Sequence, residues 1–323
     1  MNEKTFTFEY NFSQQIFRSS LKNNTFKAHL ALLGANVIYG VNYLIAKDIM
    51  PHEISASAFV FLRIIGGIVL FWGVKSFIKE KVDKKDFKIL ALCGLFGVAI
   101  NQLFFFNGLS LTSPIDASII ITANPVLVLI FSAILLKEKV TSMKLLGIAI
   151  GGVGAILLIL YGQQSGGTSS LKGNLLIFIN VCSYALYLVV AKPLMRKYKP
   201  ITVISWIFLF GFMFMFPFGI KDFLNTNFSA FTTSTYLTIA YVILGTTFLA
   251  YLFNIFALKH VTPLVSGSYV YLQPVVSFIM VSIYAYMLNN DKYAQDINMI
   301  KFLSCLLVII GVIIISRPSR SIG

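Results

Sequence analysis

Apolar runs of roughly 20 residues recur along the chain, separated by short polar turns that are mostly basic. A helix of about 20 such residues crosses a bilayer. Ten segments fit that description: 28–47, 54–76, 88–110, 114–136, 143–161, 173–194, 201–220, 235–258, 263–287 and 297–316. The pattern predicts an all-α integral membrane protein with ten transmembrane helices.

The prolines indicate that these segments form two copies of one unit. Pro114 and Pro125 in the fourth segment match Pro263 and Pro274 in the ninth, both at an offset of 149 residues. Upstream, Tyr39, Ala46, Lys47 and Met50 match Tyr184, Ala191, Lys192 and Met195 at 145; downstream, Leu146 and Gly154 match Leu303 and Gly311 at 157. A repeat on this scale governs how everything else is placed. Five spans per copy is an odd number, so the second copy enters the membrane from the opposite face. The expected architecture is therefore two inverted five-helix repeats, as in many secondary transporters. Its boundaries are a tail at 1–27, a first repeat at 28–160, a linker at 161–172, a second repeat at 173–317 and a tail at 318–323.

Composition agrees with a lipid environment. Of the 323 residues 57% are hydrophobic and 12% charged, against about 25% charged in soluble domains. The net charge of +14 is distributed as topology demands rather than as a nucleic-acid surface. Twenty of the 26 lysines and arginines fall on one side of the predicted spans, five on the other, and Arg63 alone lies within. The positive-inside bias puts both termini in the cytoplasm of a multi-pass protein of a plasma or bacterial inner membrane. The first 27 residues lack the apolar core of a signal peptide and are expected to be retained. Cys93, Cys182 and Cys305 sit in apolar runs and are expected to be core residues. No metal or cofactor is expected. The expected partners are lipid and a small-molecule substrate, not nucleic acid, with the chain as monomer or homodimer.

Arg63 lies roughly 13 Å into its span at 1.5 Å per residue, and an ion at that depth is a functional candidate. It either contacts an anion or carboxylate in a cavity, or is a structural arginine held by neighbouring helices. Polar side chains costly to expose to lipid mark the inward faces: Asn36, Tyr39, Asn42 and Tyr43 in span one; Asn101 and Gln102 in span three; Thr122 and Asn124 in span four. In the second copy they are Tyr184 and Tyr187 in span six, Tyr251 and Asn254 in span eight, and Tyr269, Tyr271 and Gln273 in span nine. All but Thr122 and Tyr269 are, with Arg63, the substrate-binding candidates. Pro125 and Pro274, each following an amide, are candidate hinges because a mid-helix proline frees a carbonyl and bends the helix.

Several polar residues have simpler accounts. Lys47 and Lys192, at equivalent repeat positions, are expected to snorkel to the headgroups; the alternative is that each attracts an anionic substrate at its own mouth. Ser113, Pro114 and Asp116 suit an N-cap, a first-turn proline and an acidic third position; the alternative for Asp116 is proton coupling. Gly147 and Gly151 form a small-xxx-small pair that either packs on span ten or forms a dimer face.

A proline-containing fourth helix ending in Lys137 and Glu138, followed by the glycine-rich LLGIAIGGVGAILLI and then repeated in outline, resembles the EamA repeat of the drug/metabolite transporter superfamily. The resemblance covers roughly 31–160 and 173–316. It implies a ten-helix secondary exporter or exchanger of amino acids, other metabolites or drugs, working by alternating access around a cavity between the halves. Glu138 has no acidic counterpart, since Met287 occupies the equivalent position. An enzyme is disfavoured: His29, His52 and His260 fall at span edges or in loops, and neither HxxxH nor Gly-x-Ser-x-Gly occurs. A channel or non-transporting receptor is the remaining alternative.

Overall fold

The computed structural model describes the backbone of residues 3–137, 141–161, 169–258, 260, 269–287 and 299–316, with most of their side chains from Thr25 onward. Glu138, Thr262, Pro263, most of the predicted linker and the C-terminal tail lie outside the described residues.

The first copy comprises α1 (Glu3–Ile49), α2 (Ala56–Lys75), α3 (Phe87–Gly94), α4 (Asn101–Leu111), α5 (Pro114–Ile121), α6 (Asn124–Leu136) and α7 (Ser142–Tyr161). The second comprises α8 (Leu171–Lys197), α9 (Pro200–Leu224), α10 (Thr233–Ala240), α11 (Ala250–Leu258), α12 (Leu272–Ser282) and α13 (Met299–Ser316). Among the described residues, eight helical stretches are long and apolar enough to cross a membrane. Leu145–Gly154 and Met299–Gly311 are shorter apolar helices.

Side-chain caps start these helices. Ser55, Ser113, Ser170 and Thr232 accept hydrogen bonds from amides at the beginnings of α2, α5, α8 and α10, satisfying donors that have no intrahelical partner. The predicted cap at Ser113 is present, with Pro114 in the first turn and the Asp116 amide donating to Ser113 Oγ at 3.0 Å.

Two irregularities recur at the proline offset. Wide π-helical turns join α3 to α4 over Leu95–Ile100 and α10 to α11 over Tyr241–Leu249, and their last residues stand 149 apart. The fourth span breaks at Thr122 and Ala123, while a 3-10 turn over Tyr269–Tyr271 leads into α12. Pro125 and Pro274 follow these breaks and sit near the starts of α6 and α12, where the absent amide hydrogen costs no helical bond.

Helix pairing is also reciprocal. α1 lies along α11 and α12, and α8 lies along α4 and α6, while α2 pairs with α9 and α7 with α13. Gly147 and Gly151 pack against span ten, as one of the two sequence readings requires: a Cβ at Gly311 would fall 2.5 Å from the Gly151 nitrogen. Such close backbones let helices associate in lipid through van der Waals contact. The core is aromatic, with Phe71 against Phe208 at 4.9 Å and Phe59 against Phe106 at 5.1 Å between ring centroids. Cys93 and Cys305 are buried in it and Cys182 is half-buried.

Candidate functional site

A cavity of about 170 Å³ lies where the two copies meet. From α1 it takes Asn36, Tyr39, Asn42 and Tyr43, four positions on the inward side of one helix. Arg63 of α2, Asn101 and Phe105 of α4, Ile121 of α5 and Asn124 of α6 complete the first copy's share. The second copy supplies Asn180, Val181 and Tyr184 from α8, Thr246 from the π turn, Tyr251 and Asn254 from α11, then Val270 and Gln273.

Arg63 owes its position to the residues one turn further along α2. A Cβ at Gly67 would fall 2.6 Å from the Phe208 ring and 3.1 Å from Thr247 Cγ2, so glycine there lets α2 abut both α9 and the π turn. That approach brings Thr247 to the guanidinium. Thr247 Oγ1 donates to the Val242 carbonyl at 2.9 Å and accepts from Arg63 Nε. The Arg63 Cζ atom lies 5.2 Å from the centroid of the Phe106 ring, a favourable cation–π placement. Arg63 is 7% exposed, and no carboxylate among the described residues pairs with it.

The amides and hydroxyls around it divide into braced and open groups. Tyr43 donates to Gln273 Oε1 at 2.7 Å, and Gln273 Nε2 donates to Asn36 Oδ1 at 2.8 Å, so one wall is tied across the copies. Asn180 Nδ2 donates to the Asn101 carbonyl at 2.8 Å, a second cross-copy tie. The hydroxyls of Tyr39, Tyr184 and Tyr251 have no hydrogen-bond partner among the described residues, and all three line the same cavity as Arg63.

The sequence model of the EamA-like transporter family matches residues 26–160 and again 171–317. The chain belongs to this family. Among its relatives, the uncharacterized transporter YetK of Bacillus subtilis is 29% identical over 255 residues, 78% of this chain and 76% of YetK. The uncharacterized transporter YyaM of the same organism is 26% identical over 303 residues, 90% of this chain and 94% of YyaM. A crystal structure of a protein 18% identical superposes with a TM-score of 0.60, covering 89% of this chain and 95% of that one. The fold is shared; both named relatives are transporters, and this EamA-like chain is a multi-pass membrane transporter.

Eleven of the fourteen binding candidates line the cavity of this family member. Gln102, Tyr187 and Tyr271 do not. Tyr187 packs its ring on Gly97, where a Cβ would fall 2.7 Å from it, so the π turn draws that side chain out of the cavity. Tyr271 packs against Val126 and Val308 between α6 and α13. Gln102 is 2% exposed beside Asn101 and does not line the cavity, and both its amide atoms lack hydrogen-bond partners among the described residues. Phe105, Ile121, Asn180, Val181, Thr246 and Val270 line the wall without having been predicted. Asn180 carried the same signal as the other amides, a polar group in an apolar run.

Two basic residues depart from expectation. Lys47 does not snorkel: it is 7% exposed and donates to the Ser110 carbonyl at 2.8 Å. Lys192 is exposed. Lys301, one of the five basic residues expected on the side opposite the basic loops, is fully buried with its Nζ 2.8 Å from Asp116 Oδ1. Asp116 thus sits in the first turn capped by Ser113 and also holds a cation.

Proposed function

We propose that the chain is an alternating-access carrier, an exporter or exchanger of small solutes, whose ten spans form two inverted five-helix repeats around the cavity. The observation that carries this reading is the wall itself, drawn from both copies and centred on helices broken at equivalent positions. Broken helices at a repeat interface are where transporters bind their cargo.

Two brackets at opposite ends of the bundle support the inversion. In one, the Tyr198 hydroxyl donates to Asp86 Oδ2 at 2.6 Å, joined by Lys197 at 2.6 Å from the same oxygen. In the other, the Thr235 hydroxyl donates to Glu53. Asp86 and Thr235 are 149 residues apart, and Glu53 and Tyr198 are 145 apart, so the two brackets join equivalent positions. Acid and hydroxyl have changed places between them. The reciprocal pairing of α1 and α8 supports the same two-fold relation.

At one end of the cavity Ile121 stands five residues beyond Asp116, about 7.5 Å along the helix axis, and Asp116 is paired there with the buried Lys301.

Counterflow in proteoliposomes tests the proposal. Saturable uptake accelerated by solute preloaded inside is the expected result. Flux that rises linearly with concentration and ignores the opposite compartment would establish a channel instead.

A further inference from the structure

Among the described residues, the cavity wall carries one formal charge. Arg63 is the cation, and neither aspartate nor glutamate occurs among the lining residues. Its Nε is engaged by Thr247 and one side of the guanidinium faces Phe106, which holds the group in a single orientation while leaving the terminal nitrogens without a carboxylate. A cation buried without a counter-charge is costly. A bound anion would remove that cost through paired N–H···O bonds, the geometry in which arginine and carboxylate fit best. The free hydroxyls of Tyr39 and Tyr251 add donors beside it.

Size narrows the choice further. A cavity of about 170 Å³ is close to the engineered apolar cavity of about 150 Å³ that accommodates benzene, and well below the roughly 300–1,000 Å³ of pockets for drug-sized ligands. Charge matching excludes a cation, which would meet Arg63 unscreened, and a dianion, which would carry an uncompensated charge into a low-dielectric site. A zwitterion would bring an ammonium group with no carboxylate in the wall to receive it.

We propose that Arg63 is a carboxylate-binding residue and that the site takes a small monocarboxylate no bulkier than a single aromatic ring carrying its acid group. Thr247 is the positioning residue that orients the guanidinium. This proposal rests on the carrier reading of the cavity, and its test does not require flux.

Benzoate, benzamide and benzamidine share a shape and carry charges of −1, 0 and +1. Binding of radiolabelled benzoate to the purified full-length chain in detergent is measured directly, with the other two as competitors. The expected order is benzoate first, benzamide next and benzamidine at least tenfold weaker than benzoate. Arg63→Gln weakens benzoate at least tenfold and changes benzamide less than twofold. Arg63→Lys retains part of the preference, and Thr247→Val weakens benzoate while leaving benzamide unchanged. Benzamidine binding as tightly as benzoate, benzoate indifferent to Arg63→Gln in folded protein, or binding of none of the three overturns the proposal. Should Arg63→Gln fail to fold, the ranking on the unaltered chain and the Thr247→Val result decide it. Saturable counterflow of a cationic solute would sink the charge assignment and leave the carrier standing, whereas non-saturating flux would sink the carrier.

Discussion

Asp116 and Lys301, 185 residues apart in sequence, meet at 2.8 Å with both side chains fully buried. The pair is embedded in polar groups: Ser113 Oγ donates to Asp116 Oδ1 at 3.0 Å, Asn174 Nδ2 donates to Asp116 Oδ2 at 3.1 Å, and Lys301 donates to Ser169 Oγ at 3.2 Å. It therefore joins the starts of α5, α8 and α13 at one point. Taking two ions out of water offsets much of their attraction, so such a pair contributes little net stability over a well-packed apolar pair. In the proposed alternating-access cycle such a pair would open reversibly, because water entering the mouth would rehydrate both charges.

That physics separates single from double substitutions. Asp116→Leu or Lys301→Met alone leaves one buried charge unmatched and should cost about 3–5 kcal/mol. The double variant removes both charges and should lie within about 1 kcal/mol of the unaltered protein or exceed it. Denaturation of the four proteins in one detergent measures this. The double variant should also exchange solute more slowly, since opening would now expose apolar surface to water. A double variant as unstable as either single one would show that the pair acts through its hydrogen bonds rather than its charges.

Why this pair escaped the sequence is instructive. Asp116 announced itself as a capping residue, and Lys301 as a basic residue on the side opposite the basic loops; nothing local links positions so far apart. The inward amides and tyrosines were legible because a polar group in an apolar run has to find a partner or water, whatever the tertiary arrangement. That rule gives the face but not the neighbour. Tyr187 is buried with its ring packed on Gly97 in a π turn, and a turn with one extra residue leaves no mark in hydrophobic spacing. Thr246 was missed because a threonine satisfies itself on its own helix, here by donating to the Val242 carbonyl at 2.7 Å. The repeat, by contrast, was fully visible, since prolines and glycines mark backbone geometry that both copies share.

The span-five and span-ten contact gives a stability contrast within one helix pair. A methyl group on Gly311 would lie 2.5 Å from the Gly151 nitrogen and 2.6 Å from the Gly147 carbonyl oxygen, all backbone atoms that cannot rotate aside. Gly152 has nothing within 4 Å of such a group. Gly311→Ala should destabilise by about 1–3 kcal/mol through overpacking, while Gly152→Ala should be neutral or stabilising by up to about 1 kcal/mol from helix propensity. Thermal unfolding in the same detergent compares them. Equal effects would mean that α7 and α13 separate more readily than their packing requires.

Gln273 links Tyr43 and Asn36 in one chain of hydrogen bonds, and its amide leads directly into Pro274 and α12. Removing the Tyr43 hydroxyl leaves Gln273 Oε1 as a buried acceptor without its donor, a loss of about 1–3 kcal/mol. Gln273→Leu loses both bonds at once and leaves Asn36 Oδ1 unmatched. In Tyr43→Phe/Gln273→Leu the first penalty no longer exists, because there is no acceptor left to strand. The double variant should therefore be less destabilised than the sum of the singles, with a coupling of about 0.5–3 kcal/mol. Chemical denaturation of the cycle measures that coupling. Strict additivity would show that Tyr43 and Gln273 are neighbours without being partners.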